Sequence, residues 1–65
     1  MDNIMIIKEI KYGGYNIEIH EHPIYHDFEF VVKTLDGHTV MGASIHTYEE
    51  PVDAESGAMI LINNL

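Results

Sequence analysis

Two adjacent glycines separate an isoleucine-rich run from a run that alternates between polar and apolar side chains. Gly13 and Gly14 stand between an isoleucine-rich run from Ile4 to Tyr12 and a run from Asn16 to Glu21. A two-residue glycine loop suits a type I′ or II′ hairpin turn, because glycine takes a positive φ angle without steric cost. The sequence therefore predicts an antiparallel β-hairpin at the start of the chain.

The tight turn also predicts the register of this hairpin. It implies three cross-strand pairs: Tyr12 with Tyr15, Ile10 with Ile17, and Glu9 with Glu18. The last pair opposes two carboxylates, which repel one another across the strands. A β-bulge near Lys8 and Glu9 would relieve that repulsion.

Two further strands are predicted after a break at Pro23, which cannot donate to a β-ladder. The third runs from about Asp27 to Thr34, and an Asp36-Gly37 turn leads into a fourth from about His38 to His46. Gly42 lies in the middle of this fourth run, which indicates either a bulge or a helix that packs closely against it.

The C-terminal segment changes to a helical period. Its apolar positions follow the i, i+4, i+7, i+8, i+11 spacing of one helix face: Ala54, Ala58, Leu61, Ile62 and Leu65. Pro51 suits the first helical position, and Asn63 or Asn64 suits the C-terminal cap. We therefore predict one α+β domain over residues 1–65: an antiparallel meander of three to four strands with one C-terminal helix packed on one face.

The other face of the sheet should then be open to solvent. Alternation assigns to it a mostly polar set: Asn16, Glu18, His20, Asp27, Glu29, Val31 and Lys33.

A chain of 65 residues forms only a thin core and leaves little room for a deep ligand cleft. It contains no cysteine, which excludes disulfides, thiol nucleophiles and thiolate metal sites. No catalytic or phosphate-binding motif, signal peptide or membrane-spanning run is found. We expect a cytoplasmic protein that is not an enzyme and uses no cofactor.

Acidity is the strongest feature of the composition. Eleven Asp and Glu stand against three Lys and no Arg, for a net charge of −8, and residues 35–65 carry no Lys or Arg. Such a chain repels nucleic acid and anionic lipid and attracts basic surfaces, although acidity also serves solubility. The candidate partner-binding carboxylates lie on or beside the open sheet face and at the helix start: Glu18, Glu21, Asp27, Glu29, Glu49, Glu50, Asp53 and Glu55.

Three histidines lie close together in the sequence. His20, His22 and His26 have a spacing that can chelate a metal, or they are ordinary polar residues at a strand end. The four tyrosines present a similar choice between sheet packing and interface anchors: Tyr12, Tyr15, Tyr25 and Tyr48.

A resemblance adds to these predictions. The order Tyr12-Gly13-Gly14-Tyr15-x-Ile17-x-Ile19, Phe28-x-Phe30-Val31-Val32-Lys33, Asp36-Gly37, Tyr48 and a short alanine-bearing helix resembles a diffuse group of small bacterial and phage βββα proteins. In size, acidity and lack of catalytic features the chain is also similar to phage-encoded anti-CRISPR proteins, particularly inhibitors of type I systems. That resemblance implies binding to a crRNA-guided, Cascade-type surveillance complex and obstruction of DNA recognition, with carboxylates in place of phosphates. It assigns no roles to individual residues.

Two functions remain open. The first is an acidic inhibitor that covers a basic, nucleic-acid-binding surface of a partner protein. The alternative is a structural or regulatory interaction module, such as an antitoxin-like protein or accessory subunit, that binds through apolar edges and tyrosines. Either is expected as a monomer or a weak homodimer.

Overall fold

The computed structural model describes residues 5–44 and 47–65, and four strands precede one helix in it. The elements are β1 (Met5–Tyr12), β2 (Tyr15–Glu21), β3 (Phe28–Thr34), β4 (Val40–Ala43) and α1 (Pro51–Asn63). The strands form one antiparallel sheet in the order β1-β2-β3-β4, and α1 packs on one face over β2 and β3. The predicted α+β fold is confirmed.

The first hairpin has the predicted turn and register. Gly13 and Gly14 have φ angles of 57° and 83°, the two positive values that a type I′ turn requires. All three predicted pairs are present, including Glu9 opposite Glu18. A register shift between Ile6 and Lys8 shows that the expected bulge exists. It leaves the two carboxylates opposed, so it does not relieve their repulsion.

The fourth strand begins two residues later than predicted, because the turn before it is longer, and it ends at Ala43, before Ser44 of the predicted strand. The Asp36 carboxylate accepts hydrogen bonds from the Thr34 hydroxyl and from the backbone N–H of His38. These bonds hold residues 34–38 in a turn, and β4 begins only at Val40. Positions 45–46 of the predicted strand, and Ile4 at the predicted start of β1, lie outside the described residues. β3 begins at Phe28, one residue after its predicted start.

The core lies between α1 and the two central strands. Its buried residues are Ile17, Ile19, Phe30, Val32, Ala54, Ala58 and Ile62. The small helix residues let α1 approach the sheet closely, and a Cβ added to Gly42 would lie 2.8 Å from Leu61 Cδ1. β4 also shows a register shift beside Gly42, so both predicted explanations of that glycine hold. The prediction for Leu65 was wrong, since it is exposed. Asn64 forms the C-terminal cap.

Candidate interaction surfaces

Glu18 lies at the centre of the sheet face that α1 leaves uncovered, yet only 7% of the residue is exposed. Its Oε1 is 3.0 Å from His20 Nε2 and its Oε2 is 3.2 Å from Lys33 Nζ. β2 is an interior strand, and the Lys33 side chain from β3 and the His20 side chain from β2 itself fold over this position. The prediction that Glu18 is open to solvent was wrong.

The environment of Glu18 keeps it charged. Burial raises the pKa of this carboxyl, but hydrogen bonds from His20 and Lys33, together with the charge of Lys33, outweigh burial and lower the pKa below its ordinary value of 4.5. Glu18 is therefore a paired, buried anion within the sheet. A partner could reach its carboxylate only by displacing Lys33 or His20.

Two further acidic residues predicted for the sheet surface also pair with histidines. Glu29 Oε1 lies 3.2 Å from His22 Nε2, and Glu21 Oε2 lies 3.8 Å from His26 Nδ1. Glu21 is paired with Phe28 across the sheet, which assigns it by alternation to the face that carries α1. Of the carboxylates predicted on or beside the open face, Glu18 therefore pairs with Lys33 and His20, while Glu29 and Glu21 each contact a histidine.

The same contacts bear on the histidine spacing. His20, His22 and His26 each face a different carboxylate instead of converging on one point. Across residues 5–44 and 47–65, no group of three or more His, Cys, Asp or Glu side chains has the geometry to hold a metal ion. Asp27, the fourth candidate near this end of the sheet, is half-buried, and its Oδ1 finds no hydrogen-bond partner in the described part of the chain.

The acidic residues at the start of α1 are more accessible. Glu49, Glu50 and Asp53 are all exposed, and Glu50 is the N-cap residue, although its side chain makes no capping hydrogen bond. Glu55, one turn further along, is half-buried and both of its carboxylate oxygens lie 3.2 Å from Lys8 Nζ. Three of the eight predicted carboxylates thus form the exposed acidic helix start: Glu49, Glu50 and Asp53.

A set of large apolar residues is exposed where β1 begins. The exposed fractions are 53% for Met5, 53% for Ile6, 41% for Ile7, 60% for Ile24 and 75% for Tyr25. Met5 pairs with Glu21 at the end of β2, so the loop that carries the last two residues lies at the same end of the sheet. We call these five residues the apolar end.

Sequence reasoning did not single out most of the apolar end. The sequence signal for part of it was the run Ile4-Met5-Ile6-Ile7, in which four successive apolar residues break the alternation of an ordinary half-buried strand. The bulge between Ile6 and Lys8 adds a residue there and opens a shallow depression lined by residues 6–9. Among the tyrosines, Tyr25 alone is largely exposed. Tyr12 donates a hydrogen bond to Asn63 Oδ1, and the ring of Tyr48 packs 6.3 Å from that of Phe30.

Comparison with protein-family models, curated proteins and solved structures gives no match for this chain. Among the described residues, no helix is both long enough and apolar enough to span a bilayer.

Proposed function

We propose that this chain is a small protein-binding inhibitor that docks its apolar end onto a partner with a basic surface. The exposure of the apolar end carries the proposal. Five large apolar residues are exposed at one end of the sheet, and a concentration of exposed apolar surface favours an interaction site there. Tyr25 is the natural anchor, because it is 75% exposed and tyrosine is enriched among the residues that dominate binding energy.

The charge of the chain selects the class of partner. The net charge is −8. Contacts on the sheet, such as that of Glu18 with Lys33, compensate part of the negative charge on the sheet. The acidic helix start therefore carries the most accessible carboxylates of the predicted set. Charges at the rim of an interface mainly increase the association rate and reject wrong partners, while buried apolar anchors hold the complex together. A partner with an apolar pocket near a lysine- and arginine-rich surface satisfies both features.

The most specific form of this proposal is an anti-CRISPR that acts in the cytoplasm. A basic surface that holds nucleic acid is the target that an acidic binder of this size would compete for, and the resemblance in size and acidity to inhibitors of type I systems favours a crRNA-guided surveillance complex as the partner. The proposed action is steric and electrostatic exclusion of target DNA. It requires no chemistry from the inhibitor.

The test is competition on a purified type I surveillance complex. Fluorescence anisotropy of a labelled target duplex would report DNA binding while the protein is titrated in. Ile24→Ser should raise the half-inhibitory concentration at least about tenfold, as loss of an anchor does. Ile60→Ser is the matched control, because Ile60 is 62% exposed on α1 and lies away from the apolar end. Equal effects of the two substitutions would reject docking through the apolar end.

Charge is tested separately. Glu50→Gln should slow association at low salt and have little effect at high salt, whereas His38→Lys, which makes the same charge change at the β3–β4 turn, should have less effect. No inhibition by the unmodified protein would reject the anti-CRISPR form. Inhibition that depends on the apolar end but not on salt or on Glu50 would instead favour the interaction module, whose acidity serves only solubility.

A further inference from the structure

Among the described residues, the outer edge of β1 is the longest unpaired edge of the sheet. β1 has eight residues and pairs only with β2 in the described structure, while α1 packs over β2 and β3 and leaves this edge uncovered. The opposite edge strand, β4, has four residues and an irregular register, two features that protect an edge from pairing. An added strand would therefore find its template on β1.

The hairpin turn determines which backbone groups of β1 point outward. In a two-residue hairpin the residues that flank the turn form a hydrogen-bonded pair, and such pairs alternate along the ladder. Tyr12 flanks the turn, so Tyr12, Ile10 and Lys8 direct their N–H and C=O groups toward β2. Glu9 and Lys11 direct theirs toward the free edge.

Two copies of this edge can pair symmetrically in few ways. A two-fold axis perpendicular to the sheet keeps each face continuous, so the outward groups can meet in registers centred on Glu9, Ile10 or Lys11. The first places Glu9 against Glu9 of the second copy, and the third places lysine against lysine. The register centred on Ile10 places Glu9 opposite Lys11 of the second copy, and Lys11 opposite its Glu9.

The contacts within one chain leave this pair of charges available. Lys8 is engaged by Glu55 and Lys33 by Glu18, so Lys11 is the one lysine without an ion pair among the described residues. Glu9 is exposed and faces the carboxylate of Glu18. A lysine from a second copy would give Glu9 an opposite charge directly across the new strand pair, which is favourable in an antiparallel sheet.

We propose that the chain forms a homodimer by antiparallel pairing of β1 with β1 of a second copy, centred on Ile10. The two sheets become one, with both α1 helices on the same face. Residues 8–12 of each copy form the new ladder, so the apolar end of each copy stays outside it. The dimer does not rest on the proposed function, because its test measures self-association alone.

Charge reversal gives a sharp test by sedimentation velocity over a concentration series. The unmodified protein should self-associate. Glu9→Lys or Lys11→Glu alone should each shift the midpoint of the monomer–dimer transition to a protein concentration at least about tenfold higher. An equimolar mixture of the two variants should restore association, because both cross-strand pairs then combine opposite charges. Asp53→Lys, an equal charge reversal on α1, should leave the midpoint near that of the unmodified protein.

A cross-linking measurement tests the register itself. The chain has no cysteine, and Ile10 is the one residue of β1 that meets its own copy in this register. As a non-hydrogen-bonded pair its two Cα atoms would lie about 4.5 Å apart, within disulfide range. In a glutathione redox buffer, the Ile10→Cys variant should form the disulfide-linked dimer faster than the Ile60→Cys variant, whose cysteine is at an exposed position on α1. A monomer at all concentrations, no rescue in the mixture, or no preference for Ile10→Cys would overturn the proposal.

Discussion

Lys33 Nζ lies 3.2 Å from Glu18 Oε2, across the pairing of β2 with β3. This contact joins a lysine that is 27% exposed to a carboxylate side chain that is 9% exposed, on the sheet face opposite α1. A buried carboxylate is tolerated only when its charge is compensated and its oxygens are hydrogen-bonded. Lys33 and His20 supply both, so they are structural residues of the sheet.

Removal of the lysine should therefore destabilise the fold. Lys33→Met should lower the free energy of unfolding by about 1–3 kcal/mol, the cost of a buried charge that loses a partner. Urea titration followed by circular dichroism measures this. Lys11→Met is the matched control, and at low protein concentration we expect a change within about 0.5 kcal/mol. The double variant Glu18→Leu/Lys33→Met should recover most of the loss, and a loss as large as that of Lys33→Met alone would contradict this role.

The stability should depend on pH in the acid range. The pKa of Glu18 is lowered in the folded protein, so the unfolded chain binds more protons between that value and the ordinary 4.5. Glu18 thus contributes stability that is present above about pH 4.5 and is lost as the pH falls through the folded value. Thermal melting at a series of pH values should show a shallower acid decline for Glu18→Gln. The pKa of Asp36 is also lowered, by its hydrogen bonds from Thr34 and from the His38 backbone, so the comparison is best made in an Asp36→Asn background. If the melting temperature of Glu18→Gln fell as steeply with acid pH as that of the parent protein, Glu18 would not be the source of the pH dependence.

Gly57 should resist replacement although it lies within a helix. Alanine gains about 1 kcal/mol over glycine from helix propensity, but a Cβ at this position would overlap the Tyr48 hydroxyl and lie 3.2 Å from Phe30 Cε2. We expect Gly57→Ala to destabilise the fold by about 1–3 kcal/mol, as overpacking does. The neighbouring Ser56→Ala, on the exposed side of α1, should stabilise it by a few tenths of a kcal/mol. Tyr48→Phe should partly rescue the stability of Gly57→Ala in urea titrations. A net gain in stability from Gly57→Ala would show that the space between Gly57 and Tyr48 accommodates a methyl group.

Shortening the N-cap side chain of α1 by one methylene group should stabilise the helix. Glu50 occupies the N-cap with extended φ and ψ angles of −127° and 142°, yet its side chain makes no capping hydrogen bond. Aspartate is among the preferred N-cap residues, so Glu50→Asp should stabilise the fold by about 0.5–1 kcal/mol without changing the charge. Glu49→Asp, one residue earlier, should have little effect. Equal thermal shifts for both would mean that capping is not the cause.

The local chemistry of the sequence predicted much of this fold. Gly13 and Gly14 determined both the turn type and the register of the first hairpin, because each step along a strand reverses the face of the side chain. The burial of Glu18 could not be predicted in this way. Alternation identifies the face of a side chain, whereas its exposure depends on whether Lys33, from another strand, folds over it. The start of β4 depended on the Asp36 side chain, whose hydrogen bonds compete with strand pairing.

The same distinction between local pattern and contacts among distant residues applies to the surface of the protein. The sequence indicated acidity but not the contacts that engage it. Glu55 contacts Lys8 from a distant part of the chain, and Glu29 contacts His22 across a loop. The apolar end lies beside the bulge of β1, and the strand order leaves the outer edge of β1 unpaired among the described residues.

The strand order has a consequence for how the chain reaches this structure. Each strand pairs with the one before it, so every step of sheet assembly closes a short loop and loses little chain entropy. The packing of α1 on the sheet is the most distant step in sequence and depends on a sheet that already exists. Folding should begin at the Gly13-Gly14 hairpin and proceed rapidly, at the fast end of what sheet-containing domains of this size achieve.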